Sequence, residues 1–122
     1  MVDGEKIRSF KDLKVWQKAM DLVVGIYEVT NAYPDEERFG LKAETRKTAR
    51  SVPYNVSEGK SRASVKEYRH FVEIARGSLG ELQTQFLLAG RLKYLAADLS
   101  SRLEEEIEEI ARMLRGLEQS LS

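Results

Sequence analysis

Between Ser64 and Leu92 one stripe of side chains recurs at every third or fourth position: Tyr68, Phe71, Ala75, Ser78, Leu82, Gln85, Ala89 and Leu92. That is the period of an α-helix, not of a strand. Val72, Ile74, Leu79, Phe86 and Leu88 add a second apolar flank, so the helix is expected to pack on more than one side. Ser64, with Glu67 three residues on, has the form of a capping box and places the start. A central helix of this length needs partners, and no stretch of the chain shows the alternation of a strand.

Three further segments supply those partners. Ser9 and Asp12 suggest a first helix start, followed by Phe10, Leu13, Trp16, Met20, Val23 and Tyr27, with Ala19, Val24 and Ile26 widening the stripe. Pro34 pushes Tyr33 out of helical dihedrals, so this helix should stop near Asn31. The second segment carries mostly small residues on one side: Leu41, Thr45, Thr48, Ala49, Val52 and Val56. In the last, opening near Asp98 or Ser101, Leu103, Ile107, Ile110, Leu114, Leu117 and Leu121 spell a coiled-coil-like seam. The expected architecture is all-α, an antiparallel up-down-up-down four-helix bundle in one domain, 1–122. Its helices are expected at about 9–31, 41–58, 64–92 and 99–120.

Composition removes several function classes. The chain has 122 residues and no cysteine, which excludes disulfides, thiolate zinc sites and a cysteine nucleophile. No apolar run reaches the ~20 residues that span a bilayer, and the N-terminus lacks the apolar core of a signal peptide. A soluble, cytoplasmic protein without membrane contact is the expectation. The spacing Glu67-Tyr-Arg-His70 matches half of a di-iron bundle motif, but His70 is the one histidine, so the set cannot be completed. With no second base and no Gly-rich phosphate loop, neither enzyme, metal nor cofactor is expected.

The net charge is zero, yet it is unevenly spread. From Leu41 to His70 eight Lys/Arg stand against three Glu, a net of +5. From Asp98 to Ser122 three Arg stand against seven acids, a net of −4. The basic set is Lys42, Arg46, Lys47, Arg50, Lys60, Arg62, Lys66 and Arg69, straddling the stretch SVPYNVSEG. If the chain turns there, two basic arms meet at one end of the bundle and could neutralise phosphates. The competing reading is of ordinary exposed positions, paired with the acidic last helix of the same or a neighbouring subunit. Within the stretch, Pro53 should bend the second helix, because it lacks an amide donor and clashes with the Ala49 carbonyl. Asn55 and Glu58 can satisfy the freed groups, and Gly59 suits a left-handed C-terminal cap.

The segments FKDLKVWQKAMDLVVGIY, YPDEERFGL, SVPYNVSEGKSR and EYRHFVEIARGSLGELQTQ follow one another in an order that resembles the 23S rRNA intervening-sequence proteins. The resemblance runs from about Phe10 to Tyr94, and its motif falls on Pro53, Asn55, Glu58, Gly59, Ser78 and Glu81. It implies a bacterial four-helix bundle that assembles as a homopentamer, binds nucleic acid and has no enzymatic activity. Related bundles are accessory proteins of diversity-generating retroelements, which partner a reverse transcriptase and its RNA. Where the family commonly has Gln-x-Arg-Arg, this chain has Glu44-Thr-Arg46-Lys47, which keeps the basic pair and adds a negative charge beside it. The functional expectation is therefore a homo-oligomer that binds RNA or DNA through the basic set. Its alternative is a scaffold that docks a reverse transcriptase or other partner, with Leu79, Phe86 and Leu88 left over for assembly.

Overall fold

The computed structural model describes residues 8–122. Four helices account for most of them: α1, Lys14–Thr30; α2, Leu41–Lys60; α3, Val65–Arg91; and α4, Ala97–Ser120. Among the described residues there is no strand. Contacts link α1 to α2, α2 to α3, α3 to α4 and α4 back to α1, which makes the fold a four-helix bundle. Contacting pairs run in opposite order on neighbouring helices: Ser51 meets Ser78, and Thr48 meets Gln85. No helix is long and apolar enough to cross a membrane among the described residues.

Ser9 does form a capping box with Asp12, but it caps a 3-10 turn, Phe10–Asp12. Leu13 then takes an extended conformation, and α1 opens only at Lys14. The core face of α1 is displaced by one position from the stripe the sequence suggests. Val15, Ala19, Leu22, Ile26 and Thr30 face the core, whereas Met20 and Val24 are exposed. α4 begins at Ala97, ahead of Ser101, and buries Leu103, Ile107, Ile110, Leu114 and Glu118. α3 follows its cap, with the Ser64 hydroxyl accepting from the Glu67 amide at 3.1 Å. Its second flank divides: Leu79 and Phe86 belong to the core, and Leu88 is exposed. Leu79 and Phe86 are thus taken up by bundle packing and are not left over for assembly.

α2 and α3 form the most extensive pair. The α2 ridge of Thr45, Ala49, Val52 and Val56 is small and fully buried, so the backbones can approach closely. α2 remains helical through Pro53, which is buried. Gly59 is the main local correction. It lies inside α2, no glycine has positive φ among the described residues, and the C-cap is Ser61. A Cβ at Gly59 would meet the Phe71 Cβ and Tyr68 Cδ1 at 3.0 Å and the Tyr68 carbonyl at 3.1 Å. The glycine is there for helix contact, not for a left-handed turn. Among the described residues the one left-handed non-glycine residue is Lys93, φ 64°, just past the end of α3. The Lys93 amide bonds the Gly90 carbonyl and the Tyr94 amide the Ala89 carbonyl, which is a Schellman closure.

Candidate nucleic-acid interface

α2 carries the basic residues from one end of the bundle to the other. Lys42 and Lys60 are eighteen positions apart on one unbroken helix, which places them ~27 Å apart along its axis. The eight cations therefore form a line along α2 that continues round the turn, not one patch at one end.

On α2 the arginines turn toward α1. Arg46 Nε donates to the Thr30 hydroxyl at 2.8 Å. Its Nη2 donates to the Tyr27 carbonyl at 2.9 Å and to Asn31 Oδ1 at 3.0 Å. The guanidinium also lies 4.4 Å from the Tyr27 ring centroid. A helix leaves its last carbonyls without intrahelical donors and carries partial negative charge there, so Arg46 serves as the C-terminal clasp of α1. Arg50 Nη1 donates to the Tyr27 hydroxyl at 2.6 Å. All these acceptors are neutral, so the two positive charges are held in place without being cancelled. Lys47 is exposed and Lys42 half-buried, and neither has a carboxylate within ion-pair distance among the described residues.

The turn is different. Arg62 pairs with Glu58 at 2.8 Å and Glu67 at 3.8 Å, and stacks 4.7 Å from the Phe71 centroid. Arg69 pairs with Glu73 at 3.8 Å, and Lys60 lies 5.9 Å from the Tyr68 centroid. Lys66 is exposed. Burial raises the Tyr68 phenol above its usual range. None of the eight cations pairs with α4 of its own chain among the described residues. The cross-helix ion pairs of α4 run instead from Glu109 to Lys18 at 3.3 Å and from Glu118 to Arg76.

The other motif residues are mostly engaged in packing. Asn55 Nδ2 donates to the Ser51 carbonyl at 2.7 Å, and the Ser51 hydroxyl donates to Ser78, tying α2 to α3 at the level of Pro53. Glu58 serves Arg62 and repairs no freed group at Pro53. Glu81 is exposed on α3. His70 is exposed with its ring edge-on to Phe71, and Glu67 is occupied at the α3 cap.

Two arrangements escape a reading of the residues alone. Arg76 and Glu118 form a two-point ion pair across α3 and α4, with Glu118 buried. The hydrogen bond to Glu118 raises the Arg76 pKa further and keeps the guanidinium charged. The signal was Glu118 itself, four positions past Leu114 on the apolar seam, where a carboxylate demands a partner. The second is the corner beyond α1. Tyr33 is buried against Tyr94, centroids 5.6 Å apart, and burial pushes its phenol up to about 12. The Tyr94 hydroxyl donates to Glu37 at 2.9 Å, which raises its own pKa. Glu37 in turn accepts from the Leu41 amide at 2.9 Å, capping α2.

A bundle of this order, with its small-residue α2 and in-helix Gly59, can be set beside known families. The family described as 23S rRNA-intervening sequence protein matches residues 11–116. The chain belongs to that family. Its match covers α1, α2, α3 and most of α4, so the basic line on α2 lies wholly within the family domain. No curated protein matches the chain. In this 23S rRNA-intervening sequence protein, Lys42, Arg46, Lys47 and Arg50 on α2 have no carboxylate partner among the described residues, whereas at the turn Arg62 and Arg69 are paired and Lys60 and Lys66 are not.

Proposed function

We propose that this protein is a non-enzymatic, cytoplasmic homo-oligomer that binds nucleic acid, RNA foremost, along the outer side of α2. The observation that carries the reading is the set Lys42, Arg46, Lys47 and Arg50, whose charges have no carboxylate partner among the described residues. Two of these are fixed by α1 and two are free lysines, so the strip combines a preset field with adaptable phosphate contacts. The family's naming for an rRNA insertion fits an RNA partner. In a homopentamer, as the family resemblance implies, the strip would be repeated five times. Filter binding of a structured RNA across a salt series tests this: affinity should fall steeply with salt, and Lys42→Glu with Lys47→Glu should weaken it together. Absence of retained RNA at ~50 mM salt overturns the reading.

The second reading, a scaffold for a reverse transcriptase or other protein, is favoured by Ile74, Leu88 and Leu92. These side chains, on α3 and its C-cap, are 39%, 46% and 45% exposed, at spacings that put them on one side. It predicts a protein partner that stays bound after nuclease treatment and is lost on Leu88→Glu.

A further inference from the structure

Most aromatic side chains of this protein have a cation or ring partner among the described residues. Among the described residues, Phe39 has Arg38 at 4.8 Å, Tyr27 has Arg46 at 4.4 Å, Tyr68 has Lys60 at 5.9 Å and Phe71 has Arg62 at 4.7 Å from the ring centroid. Phe10 packs on Trp16, and Tyr33 on Tyr94. Tyr54 has neither a cation nor a ring partner among the described residues, although it is 61% exposed. It follows two cations on α2: Arg50 is one turn before it, and Lys47, two turns before it, lies on the same side ~10 Å along the axis, while Glu58, one turn after it, is paired with Arg62.

The neighbouring helix completes the setting. Asn31 contacts Arg46, and Tyr27 contacts Arg50, so four residues back on α1 match four forward on α2. One more four-residue step along each helix would set Val23 level with Tyr54, and Val24, next to Val23, is 58% exposed. Tyr54 is thus an open ring with uncancelled positive charge on its N-terminal side. That combination suits an unpaired base, which stacks on the ring while its phosphates meet the cations. Bases inside a duplex are already stacked and cannot reach such a ring.

We infer that Tyr54 is a stacking platform for unpaired bases, and that the α2 strip selects single-stranded over double-stranded nucleic acid. This rests on the nucleic-acid reading above and narrows it to one substrate class. The test uses the full chain and fluorescein-labelled RNAs of about 15 nucleotides, read by anisotropy. The probes are an unstructured strand, the same strand with abasic positions, and its duplex. The wild type should prefer the intact strand over the abasic one by roughly five- to a hundredfold. Tyr54→Ala should abolish that preference, Tyr54→Phe should keep it, and Lys47→Glu should weaken all three probes alike.

Tyr54 is exposed, so the alanine variant should keep its melting temperature, and the phenylalanine variant guards against a folding artefact. Retention of the preference by Tyr54→Ala overturns the platform. So does salt-dependent wild-type binding that ignores abasic positions or favours duplex, while leaving the nucleic-acid reading intact. No wild-type binding of any probe at ~50 mM salt overturns both.

Discussion

At the corner where α1 gives way to α2, Arg46 directs its guanidinium at a carbonyl, a hydroxyl and a side-chain amide. At the α2–α3 turn, Arg62 stands between two carboxylates, Glu58 and Glu67. Both are arginines of the same basic stretch, and their effects are opposite. The corner arginine is structurally committed yet still contributes its full charge to the surface. The turn arginine is exposed yet electrostatically silent. Counting cations in a sequence measures neither property, because what matters is whether the partner is a dipole or an anion.

The sharpest way to break this contrast is to remove each arginine in turn. Arg46→Ala removes three charge-assisted hydrogen bonds to the Thr30 hydroxyl, the Tyr27 carbonyl and Asn31, and should destabilise the fold by about 2–3 kcal/mol in denaturant titration. Arg46→Lys should recover less than half of that, since an ammonium cannot reproduce the fork. A loss equal to that of Arg62→Ala would erase the distinction.

The corner also has its own alkaline signature. The folded state holds the Tyr33 proton to about 12, whereas the phenol ordinarily titrates at 10.0. Below pH 10 this contribution is intact, and as pH rises from there to 12 about 2–3 kcal/mol should be lost. Tyr33→Phe should flatten that part of the curve. It should cost little at neutral pH, because the buried hydroxyl has no hydrogen-bond partner. Thermal melts from pH 9 to 11.5 in both proteins check the point.

At the turn, packing replaces charge. Gly59→Ala adds a Cβ 3.0 Å from Phe71 and Tyr68, and the strain should exceed the gain in helix propensity, a net loss of about 1–2 kcal/mol. Had Gly59 been a solvent-facing helix position, the same change would stabilise. The smallest effect belongs to Arg62→Ala, whose pairs are exposed: within about 0.5 kcal/mol of wild type in the same titration.

These cases show what was legible in the residues. The stripes of α3 and α4 and the Ser64 cap are local properties, and they specify those two helices without tertiary knowledge. Met20 and Val24 lie outside the core because α1 carries two adjacent apolar stripes, and only contact with the other helices decides that Ala19, Leu22 and Ile26 form the buried one. Gly59 was misjudged for another reason. Missing Cβ atoms serve turns and close contacts equally, and the deciding neighbours, Tyr68 and Phe71, are on a different helix. Arg46 and Arg50 are legible as members of the basic set but not as side chains held by α1. The hint was matching four-residue spacing, Tyr27 with Asn31 and Arg46 with Arg50, which places each pair on one side of its helix.

The unequal seams of the bundle have a consequence for how it breathes. α2 and α3 meet most extensively, and α1 and α4 least. Cooperative opening follows the thinnest seam, so α1 and α4 should part transiently while the central hairpin stays closed. Amide hydrogens of Val52, Val56, Val72 and Leu79 would then exchange only through global unfolding. Those along the facing sides of α1 and α4 would exchange by a cheaper route, through a seam whose charged rim, Lys18 to Glu109, loosens as salt is added.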